Sequence, residues 1–125
     1  MQKGFTFVEV VIVIIILGIL ATLGVTQYGP ARERALDKEA IANLKLVQAA
    51  MRIYGMESGA YFNSVSNTEI NRDLKLLLAA GANRNWSYAC RNTGCVQATR
   101  NVTGGGGRIW YLPMTREDPD TTPCP

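Results

Sequence analysis

Residues 3–25 read KGFTFVEVVIVIIILGILATLGV, and this stretch decides what kind of chain the rest must be. Between Phe5 and Val25 it holds fifteen Phe, Val, Ile and Leu residues and one charge, Glu9. A helix of that length crosses a bilayer core of about 30 Å. At about −0.3 to −0.6 kcal/mol each, these side chains together outweigh a mid-membrane charge costing about 3 kcal/mol. The sequence therefore predicts a membrane-inserting helix over residues 5–28. A carboxylate within such a helix is costly unless it finds a partner, so Glu9 is a functional candidate from its chemistry alone.

Outward from this segment the composition changes sharply. The whole chain has 125 residues, the size of one domain, and its near-neutral mean hydropathy of +0.02 averages an apolar N-terminus with a polar, Gly- and Asn-rich remainder. A net charge of +3 makes no large basic field, so no specific nucleic-acid partner is expected. The flanking charges, Lys3 before the helix and Arg32, Arg34 and Lys38 after it, taken alone place the C-terminus in the cytoplasm. Cys90, Cys95 and Cys124 lie beyond the helix among turn-forming residues, which points instead to an oxidising compartment.

A secretory signal carries its small-residue cleavage site after the apolar run. Here the small residue, Gly4, precedes it, in Lys3-Gly4-Phe5-Thr6-Phe7-Val8-Glu9. From Lys3 to about Leu23 the chain resembles the type IV pilin and pseudopilin family, whose precursors carry a short basic leader ending in Gly. The resemblance implies a leader over residues 1–4, cleavage by prepilin peptidase between Gly4 and Phe5, and N-methylation of Phe5. It also implies that Glu9 neutralises the Phe5 amine of a neighbouring subunit during assembly. Many family members have Pro near the end of the apolar run, where this chain has Thr26, with Gly29-Pro30 just beyond. Pro disfavours helix in the residue before it and removes a donor, so a kink is expected at Gly29-Pro30, with the helix pattern resuming at Ala31. Gly18 and Gly24 are further weak points, each costing about 1 kcal/mol relative to Ala. In related filaments part of this region is stretched out of helix, and the corresponding segment here is Gly18 to Pro30.

Over residues 29–58 the pattern is an amphipathic helix. Arg32, Glu33, Arg34, Asp37, Lys38 and Glu39 form a solvated charged run, while Leu36, Ala40, Leu44, Val47, Met51 and Tyr54 recur at steps of three and four and build one apolar stripe. Tyr54-Gly55 and Ser58-Gly59 mark its end. Residues 59–125 read as a globular head. Ser66 with Glu69 signals a capping box, followed by Ile70, Leu74, Leu77 and Leu78 on one helical face and then Gly81. Strand-like pieces follow at Trp86–Cys90, Cys95–Arg100 and Arg108–Leu112, the last two separated by the Gly104 to Gly107 run. The expected fold is α+β: a long N-terminal helix, membrane-spanning in its first half, packed on a small C-terminal antiparallel sheet, the pilin-like lollipop that the resemblance also implies.

Three cysteines allow one disulfide. The tight turn between them favours Cys90–Cys95, with Cys124 stapling the tail to the sheet as the alternative. A metal site is not expected, because three Cys with no His and no C-x-x-C pair is poor ligand spacing. Asn85-Trp86-Ser87 and Asn101-Val102-Thr103 match the glycosylation sequon, a pattern too short to carry weight alone.

Two classes of function remain. The first is a structural filament subunit whose partners are itself and other pilins, prepilin peptidase, an inner-membrane assembly platform and membrane lipid, with an inner-membrane precursor pool and an extracellular or periplasmic filament. A type IV pilus is its leading form and a type II secretion pseudopilin the alternative. The second class is a membrane-anchored binding protein or enzyme. The chain has no His, the cluster Glu117-Asp118-Pro119-Asp120 reads as a solvated tail or a loose cation site, and the glycine run lacks the Lys-Ser/Thr of a phosphate loop. No enzymatic activity and no cofactor are therefore expected.

Overall fold

The computed structural model of the chain describes residues 4–102 and 107–124. Helix α1 spans Phe7–Ser58, and helix α2 spans Asn67–Asp73. Three strands follow, β1 (Trp86–Arg91), β2 (Cys95–Arg100) and β3 (Ile109–Pro113), paired antiparallel in the order β1-β2-β3. The chain divides into two compact units, residues 1–35 and residues 36–125. The sheet and helices answer to the α+β class expected from the sequence.

In the first unit every described apolar side chain of α1 is exposed, from Phe7 at 84% to Val25 at 77%. The helix passes through Gly18, Gly24, Gly29 and Pro30 without interruption, as the one long helix expected from the sequence. Pro30 has no N–H to donate to the carbonyl of Thr26, which removes one bond of the ladder, and the turns on both sides carry the helix across it. Thr22 Oγ1 donates to the Gly18 carbonyl at 2.8 Å, the back-bonding expected of a hydroxyl with no other polar partner in reach.

In the second unit the predicted stripe of α1 is the spine of the core. Ala40, Leu44, Val47 and Met51 are fully buried, in one cluster with Ile70, Leu74 and Leu78 and with Trp86, Tyr88, Cys90, Val96, Ala98 and Leu112 of the sheet. The register explains that face: Cys90, Val96 and Leu112 are paired across the three strands, and so are Tyr88, Ala98 and Trp110. Side chains directly opposite one another share a face of the sheet, so these two rows point together toward α1. Polar ties fix the helix there. Trp86 Nε1 donates to the Leu36 carbonyl at 3.0 Å, Asn43 Nδ2 to Tyr88 Oη at 2.9 Å, and Gln48 Nε2 to the carbonyls of Pro113 and Arg116. Asp37, expected on a solvated face, pairs with Arg108.

Helix α2 is shorter than its sequence pattern. Ser66 occupies the N-cap position but its side chain makes no capping bond, and the Glu69 carboxylate, instead of reaching back to the Ser66 N–H, accepts from Ser64 Oγ at 2.6 Å. After Asp73 the chain turns away: Lys75 adopts φ 55°, and the Asn71 side chain brackets Leu78, accepting from its N–H and donating to its carbonyl, both at 2.8 Å. Leu78 is thereby tucked into the core while Leu77, placed on the same face by the sequence pattern, is 98% exposed. Buried Asn67 holds α2 to β1, donating to the carbonyls of Ala79 and Trp86 and accepting from the Tyr88 N–H at 2.7 Å.

The β1–β2 hairpin closes over Asn92-Thr93-Gly94, with Gly94 at φ 81° and its N–H donating to the Arg91 carbonyl at 2.9 Å. A left-handed residue closing a three-residue hairpin loop is a standard use of glycine. Any side chain there would also strike the Tyr61 ring, 2.9 Å from an added Cβ. Of the glycine run between β2 and β3, residues 104–106 lie outside the described residues.

Candidate functional site

The start of α1 is built by its own side chains. Thr6 is the residue before the helix, and its Oγ1 accepts from the Glu9 N–H at 3.2 Å while the Glu9 carboxylate accepts from the Thr6 N–H and hydroxyl, both at 3.3 Å. This reciprocal pair is a capping box, satisfying two amide donors that would otherwise lack partners. It also places a negative charge in the first turn, where the helix dipole favours one. The Thr-x-x-Glu spacing of this box is legible in the sequence, and it gives Thr6 a role beside Glu9. Phe5, 86% exposed, lines with Glu9, Val10, Val13 and Ile14 a shallow cleft of about 270 Å³. Gly4 has open space where a Cβ would lie, so steric room is available at the bond that follows it. Met1 to Lys3, the rest of the expected leader, lie outside the described residues.

The helix from Phe7 to Val25 is long and apolar enough to cross a membrane, with a mean hydropathy of 2.9 and no part of it buried. Glu9 is its one acid. The geometry thus brings Phe5, Thr6 and Glu9 into one turn at the head of a bare apolar helix.

At the other end of the chain the disulfide is Cys95–Cys124, which corrects the expected Cys90–Cys95 bridge. The reason is parity. Cys90 is paired with Val96, so it lies on the core face, and Cys95, one residue before Val96, points to the opposite face. A turn that brings two backbones together does not bring together side chains on opposite faces. The tail meets Cys95 on that outer face, guided by mutual backbone hydrogen bonds between Tyr111 and Asp120 at 2.7 and 2.9 Å. Cys90 remains a free thiol in the core, and burial pushes it up to about 12.

Two acids of the tail cluster, Asp118 and Asp120, are engaged within the chain. Asp118 pairs with Lys45 at 2.7 Å, and Asp120 accepts from the Thr121 N–H and Thr122 Oγ1, which hold its carboxyl below the usual range. Among the described residues no three or more His, Cys, Asp or Glu side chains come together in a way that would hold a metal ion.

A capped apolar helix headed by Gly4-Phe5 in the first unit, and α2 with a three-stranded antiparallel sheet in the second, make an α+β, pilin-like architecture. The family whose description is "Prokaryotic N-terminal methylation motif" matches residues 1–25. Type II secretion system core protein G of Aeromonas hydrophila is 37% identical to this chain over 60 residues, which is 48% of the chain and 42% of that protein. The protein of the same name from Pseudomonas aeruginosa is 38% identical over 60 residues, again 48% and 42%, and that from Escherichia coli is 32% identical over 60 residues, 48% and 41%. The chain thus spans about two fifths of the length of these relatives. No solved structure matches it significantly.

Proposed function

We propose that this chain is a structural subunit of a type II secretion pseudopilus, cut by prepilin peptidase after Gly4, methylated on Phe5 and assembled through its N-terminal helix. The observation that carries the reading is the methylation motif of residues 1–25 set directly on a wholly exposed apolar helix with Glu9 in its first turn. The sequence alone put a type IV pilus first; the similarity to core protein G of several secretion systems favours the pseudopilus. Its partners are then copies of itself and related subunits, the peptidase and an inner-membrane assembly platform. Its location is an inner-membrane pool feeding a periplasmic filament, with the head outside the cytoplasm, where Cys95–Cys124 persists oxidised. The role is structural, not catalytic.

The mechanism follows from the first turn. Before cleavage Glu9 is held by Thr6; cleavage creates an α-amine at Phe5, and burial of the apolar helices among their neighbours removes water from both groups. Water exclusion strengthens the attraction between a carboxylate and an amine, so pairing of Glu9 with the Phe5 amine of an adjacent copy fixes the axial position of each incoming subunit. Gly18 to Pro30, helical here, is the stretch that extends on assembly, since it holds three glycines and the missing donor of Pro30.

The test is expression in a type II secretion host lacking its own core protein G. Intact mass and N-terminal sequencing are expected to give a chain starting at methylated Phe5, Gly4→Val to block the cut, and export of secreted proteins to recover. Only full-length chains in a peptidase-competent host, or processed filaments with no recovery of export in any such host, would remove the pseudopilus reading.

A further inference from the structure

Near its end α1 carries Arg52, Gly55 and Met56, spaced so that they share one face with Gly59, the residue after its last, Ser58. Gly55 lies inside the helix without a positive φ, so the backbone conformation does not call for glycine there, and glycine weakens a helix. What the position requires is space. Gly59, at φ 78°, turns the chain back with its N–H donating to the Gly55 carbonyl at 3.0 Å, and Tyr61 then lies against the helix. A Cβ on Gly55 would stand 3.3 Å from one edge of the Tyr61 ring, and a Cβ on Gly94 2.9 Å from the other edge. Two glycines thus hold one ring between the end of α1 and the β1–β2 hairpin loop.

That ring is one wall of a cleft of about 580 Å³, which Arg52 and Asn92 also line and which Met56 and Ala60 flank with apolar groups. Arg52 is held in place, because its Nη2 donates to the Met114 carbonyl at 3.0 Å, while Nε and Nη1 have no acceptor among the described residues. Among the described residues Arg52 makes no ion pair and no acid lines the cleft, so its charge there is uncompensated. A planar guanidinium fixed by one bond and free on its other nitrogens matches the oxygens of a carboxylate. A single cation beside a neutral amide suits a singly charged group better than a phosphate. The volume lies in the range of small-ligand pockets, well beyond what one carboxylate fills, and the Met56 side chain and Tyr61 ring offer an apolar place for what the carboxylate is attached to. In the last residue of a polypeptide the carboxylate and the side chain leave the same carbon, so both fit one cleft. An internal Asp or Glu carries its carboxylate at the end of its side chain and leaves the apolar walls empty.

We infer that this cleft binds the C-terminal residue of a polypeptide, with its carboxylate on Arg52 and Asn92 and its apolar side chain between Met56 and the Tyr61 ring. Capture of a chain terminus by a fixed set of donors is a recurring mode of peptide recognition. The inference goes beyond the filament reading and does not rest on it, since it concerns only the second unit of the chain.

The test is an NMR titration of the nitrogen-labelled full chain in detergent micelles with a short acetylated peptide ending in leucine, as the free acid and as the C-terminal amide. The acid is expected to give saturable shifts at the Asn92 side-chain amide, at Arg52 Nε and at the Gly59 and Ala60 amides. It is expected to bind at least about tenfold more tightly than the amide, as for the loss of a hydrogen-bonded charge. Arg52→Gln is expected to weaken the acid by a similar factor, and Asn92→Ala, a change in an exposed loop, to weaken it a few-fold. Unshifted amide signals elsewhere and Cys95–Cys124 in peptide maps show that each variant head is folded; if Arg52→Gln is not, Asn92→Ala carries the comparison. Equal binding of acid and amide, or unchanged binding in the folded variants, overturns the inference. Equal binding of inorganic phosphate, or of an amidated peptide with an internal glutamate, overturns the assignment to a chain terminus. The same shifts appearing without peptide as the chain is concentrated assign the cleft to a second copy, and overturn it as well.

Discussion

Replacing Glu9 by Gln separates two jobs that the structure places on one side chain. In the chain as it stands Glu9 closes a capping box with Thr6, a role Gln fills as well, since its amide oxygen accepts the same bonds. In the proposed filament Glu9 instead neutralises a neighbour's Phe5 amine, a role that needs the charge. The magnitudes differ. Loss of a cap costs about 1 kcal/mol, whereas removing one member of a buried ion pair costs about 3–5 kcal/mol. At 1.4 kcal/mol per factor of ten, the first lowers an assembly equilibrium by about fivefold and the second by a hundredfold or more. Membrane insertion moves the other way, because removal of a charge from an apolar helix favours it by up to about 3 kcal/mol. The assay is the ratio of sedimented filament to total membrane-bound subunit. Glu9→Gln and Glu9→Leu are both expected to abolish filaments at normal subunit levels, and Thr6→Ala to reduce them only a few-fold, with Glu33→Leu controlling for simple loss of charge. Normal filament yield from Glu9→Gln would refute the ion-pair argument and leave Glu9 as a cap; an equal defect in Glu33→Leu would refute any special place for Glu9.

Four further outcomes are expected of the detergent-solubilised chain. Cys124→Ser removes a bridge between residues 29 apart in sequence, and the chain-entropy relation puts the loss at about 3.5 kcal/mol, read as a lower denaturant midpoint for the head. Non-reducing peptide maps of the unaltered chain are expected to show Cys95–Cys124 and to leave Cys90 unalkylated until the head unfolds. Asn67→Ala strands the Ala79 and Trp86 carbonyls and the Tyr88 N–H, and at about 1–3 kcal/mol for each buried group left unpaired it is expected to destabilise the head by about 3 kcal/mol or more. Finally, the Cys90 thiol rises from 9.0 to about 12 and the Tyr88 hydroxyl from 10.0 to about 12, both chiefly through burial. The folded head therefore binds these protons more tightly than the unfolded chain. Stability from Cys90 is intact below pH 9.0 and is lost as the pH rises toward about 12, with Tyr88 joining from pH 10.0. Cys90→Ala is expected to flatten the alkaline limb of a stability–pH profile, and an unchanged limb would contradict the assignment.

Much of the architecture was decided locally and could be read without coordinates. The apolar run after Gly4-Phe5 is long enough, and free enough of charge, to specify one exposed helix whatever surrounds it. The Ala40-Leu44-Val47-Met51 stripe carries its own period. The strands Trp86–Arg91, Cys95–Arg100 and Ile109–Pro113 fall within a residue of where alternation and turn residues put them, because both signals act over a few neighbouring positions. The Thr6–Glu9 box belongs to the same class, three residues apart and readable from spacing alone.

What only the tertiary structure decided depends on partners distant in sequence. Which face each cysteine takes follows from the pairing of Cys90 with Val96, and Cys95 finds its sulfur partner because the tail returns beside β3 through Tyr111 and Asp120. Glu69 abandons a box with Ser66 because the chain brings the Ser64 hydroxyl closer, and α2 stops at Asp73 because Asn71 and Leu78 hold a turn there. The cleft at Arg52, Tyr61 and Asn92 belongs with these. Gly55 and Gly94 lie far apart in sequence, and only the packing of the hairpin loop beside the end of α1 makes them the two sides of one Tyr61 ring, since a contact between distant residues leaves no periodic signal.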